Sequence, residues 1–300
     1  MLPLIVLLAL FGTVYSAPAP LELIYGGQNA TLGQWPWFAL LDITTADGIK
    51  STCGGALISQ RHVLTAAHCV DGDPARLVAW LGVVDRLALF RTPGLQVRQL
   101  VNVTIYPGYE NAGNFYNDIA VAELNMDVVI SNTVKPISIL ADDSKILTQP
   151  EAFVIGFGTI GCKFLSLGLN SRVSLDDEKK QPIYSTTLRY TNVSIADFDY
   201  CKKQWSPNGG VSNYPVEPWD KQFCAGANGH GVGPNDSGGP LQMKKDGKWY
   251  QVGLVSMGMM EDLVNGVMRP NQEKYPAIYT RLSKYCDFMK EATGNAFQCV

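Results

Sequence analysis

The sequence lacks an excess of either charge: across 300 residues, 24 Lys and Arg stand against 27 Asp and Glu, a net charge of −3. Nothing in that balance calls for a nucleic acid or an anionic membrane as a partner. It has no C-x-x-C pair, and its three histidines, His62, His68 and His230, are scattered, so no metal-ligand spacing is legible and no cofactor is called for. After the first residues there is no run of ~18 uninterrupted apolar residues, the length a membrane-spanning helix needs. Internal repeats and low-complexity tracts are missing too.

What is present is apolar material, 46% of the chain, enough for a sizeable core in one large or two fused small domains. Residues 4–11 form a short apolar run followed by the small residues Ser16 and Ala17, which reads as a secretory signal over 1–16; an uncleaved anchor is the alternative. A short Pro-containing segment, 17–23, then precedes Ile24. Glu22 is the only charge before Ile24, so removing it takes −3 to −2. The expected location is extracellular, where disulfides form, and with seven cysteines one has no partner within the chain.

Short β-type runs dominate, at 37–43, 53–59, 77–84, 97–105 and 119–124, and again at 152–157, 183–191, 240–243, 249–255 and 277–280, separated by Gly, Pro, Asn and Asp. Lys245-Asp246-Gly247-Lys248 reads as a hairpin turn. The pattern is all-β. Two helices are expected: one through Lys203, opened by a capping box of Ser194 and Asp197, and one carrying the stripe Leu282, Tyr285, Met289 and Ala292, stopped by Gly294. Residues 158–180 lack periodicity and read as an exposed loop.

Three residues carry the chemistry. Serine is a weak nucleophile at neutral pH and needs an imidazole to take its proton, and the imidazole needs a carboxylate to orient it. His68 in Thr65-Ala66-Ala67-His68-Cys69, Asp118 in Tyr116-Asn117-Asp118-Ile119 and Ser237 in Asn235-Asp236-Ser237-Gly238-Gly239-Pro240 supply that set in one known chain order. Each has a bland reading by itself: a core histidine, a strand-end cap, a turn serine. Together they point to acyl transfer.

These segments, with Ile24-Tyr25-Gly26-Gly27 and Ser256-Met257-Gly258, resemble the chymotrypsin-like serine proteases over nearly all the chain after residue 23. The resemblance implies two six-stranded antiparallel β-barrels, about 24–140 and 141–281, with a C-terminal helix and tail at 282–300 and the site between the barrels. It implies backbone N–H groups of Asn235 and Ser237 as the oxyanion hole, and an ion pair between Asp236 and an amino terminus freed at Ile24. Gly231, Ser256, Gly258 and Ala277 would line the substrate pocket. The matching bridges are Cys53–Cys69 and Cys201–Cys224; Cys162, Cys286 and Cys299 have no counterparts, and Cys286 with Cys299 is the preferred pair because a helix ending near Gly294 lets the tail fold back. The implied partners are protein or peptide substrates and protein protease inhibitors, acting on a monomer.

The chain departs from that family at several places. Asn235 replaces a usual glycine, and Leu23 replaces the usual Arg or Lys before Ile24. Gly233 takes the place of a pocket cysteine with no partner in 264–271, and Ala152 and Met243 replace a further bridge. Met257 reads equally as a core residue and as a cleft contact. No carboxylate stands at Gly231, so the pocket is expected to be uncharged and open, favouring large apolar or aromatic side chains. Four Asn-x-Ser/Thr sequons occur, at Asn29, Asn102, Asn192 and Asn235. The expected activity is peptide-bond hydrolysis by a secreted endopeptidase. A non-catalytic homologue that binds partners is the rival, while an esterase is disfavoured because no Gly-x-Ser-x-Gly surrounds Ser237.

Overall fold

Short runs rich in Val, Ile, Leu and Thr pair as strands. A computed structural model describes residues 24, 26–72, 74–110, 115–164, 180–206, 220–259, 262–264 and 267–300. The signal at 1–16, the segment 17–23 and residues 165–179 of the expected loop lie outside the described residues.

The first barrel contains β1 (Phe38–Thr44), β2 (Lys50–Leu57), β3 (His62–Thr65), β4 (Arg76–Leu81), β5 (Gln96–Ile105) and β6 (Ala120–Leu124), closed in the order β1-β2-β3-β6-β5-β4. Closure comes from β1 against β4, with Ala39 opposite Leu81 and Thr44 opposite Arg76. Leu41, Leu57, Val63, Leu81 and Leu124 are buried in its core; each large aliphatic side chain buried this way contributes about 1.5–3 kcal/mol.

The second barrel contains β7 (Ala152–Gly156), β8 (Arg189–Ile195), β9 (Gln222–Gly226), β10 (Pro240–Lys245), β11 (Lys248–Met257) and β12 (Ala277–Arg281). It forms an antiparallel ring in the order β7-β8-β9-β12-β11-β10, closed where β10 returns to β7. The expected hairpin joins β10 to β11: Lys245 faces Lys248, and Asp246 and Gly247 have φ of 51° and 77°, the two positive values a type I′ turn needs. Ala152 and Met243 are both buried in this core, so a small and a large apolar side chain replace the bridge absent there.

Helix α1 (Phe198–Trp205) starts three residues later than the capping box suggested. Asp197 is its N-cap, accepting from the Tyr200 amide at 2.9 Å, while Ser194 lies in β8 opposite Gly226. The run at 183–191 is two strands: Lys180–Tyr184 ends before the Ser185 hydroxyl, which takes the Thr187 amide at 3.1 Å, and β8 begins at Arg189. The stretch 158–180 is not loop throughout, since Thr159–Phe164 pairs with Lys180–Tyr184 and with Val267–Arg269.

Helix α2 (Cys286–Ala292) follows a tight turn at Leu282–Tyr285 and buries the expected stripe through Leu282, Tyr285 and Met289. Gly294, at φ 58°, ends it. The tail then folds back through the Cys286–Cys299 bond, and Val300 exchanges backbone hydrogen bonds with the 139–141 segment at 2.8 and 2.9 Å. Cys53–Cys69 and Cys201–Cys224 are also bonded. Among the described residues no helix is long and apolar enough to cross a membrane.

Candidate active site

β3 ends at Thr65, and the chain makes one tight turn at Ala67–Cys69 that carries His68. The Cys53–Cys69 bond ties this turn to β2 across a separation of 16 residues, a loop closure of the size that contributes about 3 kcal/mol. Asp118 comes just before β6, fully buried. Its Oδ1 accepts the His68 amide at 3.0 Å, and its Oδ2 lies 2.8 Å from His68 Nδ1. Ser256 Oγ donates to that same Oδ2 at 2.6 Å, and Thr280 Oγ1 donates to the Asp118 carbonyl at 2.9 Å. A carboxylate only accepts, so the proton between His68 and Asp118 sits on His68 Nδ1 and leaves Nε2 free to act as a base.

Burial of the His68 ring disfavours its charged form. The charge and hydrogen bond of Asp118, with Asp71 adding to them, outweigh that effect and hold the imidazole above its ordinary value. Phe115 packs beside the ring, with centroids 5.2 Å apart.

Ser237 sits in a turn pressed against the first barrel. The Gly54 amide donates to the Ser237 carbonyl at 2.7 Å, and Cys69 Sγ lies 3.7 Å from that oxygen. Gly238 follows at φ 73°, where a Cβ would lie 2.6 Å from the Gly54 carbonyl and 2.8 Å from the Ala66 amide nitrogen. Only glycine lets this turn approach the histidine turn so closely. The amides of Asp236, Gly238 and Gly239 are spent on backbone carbonyls, whereas those of Asn235 and Ser237 donate to no described residue. These two are the donors that the resemblance assigns to an oxyanion, and neither is used by another described residue.

Asn235 has φ of 74°, in the left-handed region that glycine enters freely and asparagine tolerates best among other residues. Asp236 is buried, with Oδ1 taking the Gly158 amide at 2.7 Å and Oδ2 the Gly233 amide at 2.9 Å. Burial pushes its carboxyl up to about 7 against the pull of those two donors. Ile24 is buried as well, its carbonyl accepting the Gly27 amide at 2.6 Å. Gly233 itself has no room for a side chain, because a Cβ there would run into the Thr159 carbonyl; this excludes cysteine as well.

Of the pocket positions, Gly231, Gly258 and Ala277 converge, with Ala277 Cβ 3.7 Å from where a Cβ on Gly258 would be. Ser256 is placed by its bond to Asp118 rather than by the pocket. Met257 is half-buried against the cluster of Cys201, Trp205, Tyr275 and Ile278. Sequence reasoning missed Phe115, Thr280 and Gln272. No local pattern marks them, since each reaches the site only through the fold; Gln272 bonds to Val232 across 40 residues.

The family description Trypsin matches residues 24–289. The chain is 30% identical to Serine protease 28 of Mus musculus over 238 residues, covering 79% of this chain and 80% of that protein. It is 30% identical to Serine protease 41 of Homo sapiens over 280 residues, 91% of this chain and 77% of the relative. Phenoloxidase-activating factor 3 of Holotrichia diomphalia is also 30% identical, over 285 residues, 89% of this chain and 72% of that protein. With two closed barrels, and a family match spanning nearly their whole length, the chain belongs to the trypsin family of chymotrypsin-like serine proteases.

Proposed function

We propose that the chain is a secreted serine endopeptidase, made as a precursor that is cut before Ile24. The observation that carries this reading is the half-buried His68 oriented through both carboxylate oxygens of the buried Asp118 and adjoining the Ser237 turn. In the proposed reaction Ser237 Oγ attacks the carbonyl carbon of a peptide bond and gives its proton to His68 Nε2. The C–N bond then breaks, and the same proton passes to the leaving amine. Water, activated by the same base, hydrolyses the acyl-enzyme and restores Ser237. The unspent amides of Asn235 and Ser237 hold the oxyanion. A cut before Ile24 creates a charged amine where the intact chain has a neutral amide, and Asp236 is the buried carboxylate it would neutralise.

The pocket positions bring no carboxylate, so cleavage after neutral rather than basic residues belongs to this proposal. Protein or peptide substrates, and protein inhibitors that mimic them, are the partners it implies, acting on a monomer. The competing reading, a binding homologue, is favoured by the side chain of Asn235 beside the oxyanion position. The deciding experiment exposes protein processed at Ile24 to a serine-directed fluorophosphonate. Adduct formation on Ser237, abolished in Ser237→Ala, supports the enzyme; a protein left unlabelled supports the binding homologue.

A further inference from the structure

We infer that Gln272 forms the floor of the substrate pocket and limits it to small uncharged side chains such as those of alanine, serine and valine. This rests on the peptidase reading of the same site. Gln272 lies far along the chain from Gly231 and Val232, yet its carboxamide fills the space these residues share with Gly258. Its Nε2 is 3.4 Å from where a Cβ on Gly258 would be, and Val232 Cγ2 is 3.6 Å from that same point. At Gly231 the carboxamide carbon and oxygen come closer to an ideal Cβ than any real side chain allows, with Cγ at 3.1 Å. The amide therefore occupies the volume that a side chain at Gly231 would take in a pocket with a charged base.

The amide is held firmly in place. Oε1 accepts the Val232 amide at 3.1 Å, and Nε2 donates to the Val232 carbonyl at 2.7 Å. Gln272 is 1% exposed, and its backbone packs on Gly226, where a Cβ would lie 2.7 Å from Gln272 Cβ. These two bonds join the segment beside Gly233 to the segment just after 264–271, the two places where a pocket disulfide is missing. The clasp thus substitutes for a bridge and sets the depth of the pocket at the same time.

A phenylalanine or tyrosine side chain entering past Gly258 has to displace this amide. That leaves the buried N–H and carbonyl of Val232 without partners, a penalty paid in full because neither group regains water. An arginine would in addition lack a counter-ion. A side chain of one to three heavy atoms stops above the amide and breaks nothing.

The test measures dissociation constants by calorimetry for acetylated tripeptides ending in alanine or in phenylalanine, on Ser237→Ala protein processed at Ile24, so that its answer does not depend on turnover. We expect the alanine peptide to bind at least about tenfold tighter, the scale on which closed apolar pockets discriminate by a few carbons. Gln272→Ala should reverse the order, and Gln272→Asn, which keeps the amide but withdraws it by one methylene, should bring the ratio towards one and serves if the alanine variant does not fold. Tighter binding of the phenylalanine peptide to the Ser237→Ala protein, binding of neither peptide, or a ratio unchanged in every folded variant overturns the proposal. Fluorophosphonate labelling of the parent separates the two readings. A labelled protein with the wrong ratio removes only the floor, and an unlabelled protein with the right ratio removes only the peptidase.

Discussion

His68 Nδ1 lies 2.8 Å from Asp118 Oδ2, an oxygen that also receives the Ser256 hydroxyl at 2.6 Å. The charge and hydrogen bond of Asp118 raise the imidazole against its burial. The acid limb of kcat/KM should therefore fall above the ordinary imidazole value of about 6.5, because the base is lost as pH drops through its raised value. Asp118→Asn removes that support and lets burial dominate, so the limb should move to lower pH while kcat falls by about 10⁴-fold, the cost of this change in a related triad. A pH–rate profile on a small ester substrate reads both effects. An unmoved limb would show that Asp118 does not govern the base.

Asp236 offers a stability test. Its carboxyl is raised by burial from 3.8 to about 7 in the uncut chain, so the folded form holds a proton that the unfolded form releases between those values. Its contribution is fully present below pH 4 and lost as pH rises through 7, on the order of a few kcal/mol. Urea unfolding of the uncut protein should show this decline, and Asp236→Asn should flatten it. In the cut form the new amine at Ile24 should cancel the decline, while Asp236→Asn should abolish activity there. Identical pH dependence in the cut and uncut forms would rule out the ion pair.

The strands were legible in local pattern and the partnership of His68 with Asp118 in the motifs, whereas Cys53–Cys69 and Cys201–Cys224 came only with the family resemblance and Cys286–Cys299 from the helix end near Gly294. The turn at Asp246-Gly247 and the stripe through Met289 follow from φ tolerance and helical period alone. Ser194 misled because a serine three residues before an acid resembles a cap, while pairing opposite Gly226 holds it in β8. Gln272 was illegible for a different reason. Its role depends on glycines at 226, 231 and 258 leaving space that only the closed barrel brings together. Those glycines read as an open pocket when no occupant is in view.

Leu23 precedes Ile24, so the proposed activating cut has no basic residue for trypsin to recognise. Trypsin should leave the precursor without an amino terminus at Ile24-Tyr25, and a chymotrypsin- or elastase-like protease should produce one. Amino-terminal sequencing after each digestion decides it, and clean tryptic cleavage after Leu23 would defeat the expectation.

The sequons should be used unequally. Asn102 is exposed on β5, its amide donating to Glu123 Oε2 at 2.6 Å, whereas Asn235 is half-buried beside Ser237. Mass spectrometry of secreted protein should find glycan at Asn102 and a bare Asn235, because a sugar at 235 would fill the oxyanion site. Full occupancy at Asn235 would favour the binding homologue.

In the proposed peptidase, Asn235 governs how strong catalysis is. Its backbone already adopts the glycine-like φ of 74°, and its amide is unspent, so the donor itself is in place. What glycine would change is the side chain beside the acyl group and the residual strain of a left-handed residue. Losing one oxyanion donor costs about 10²–10³ in rate, so if the donor is intact the gain from Asn235→Gly should be far smaller, a rise in kcat/KM of up to about tenfold on a small ester. Ser237→Ala should abolish turnover in either background. A gain of 10² or more would mean that asparagine displaces the donor rather than crowding the substrate. If neither the parent nor Asn235→Gly, each cut at Ile24, shows turnover, the obstacle lies elsewhere in the site and the binding homologue becomes the better reading.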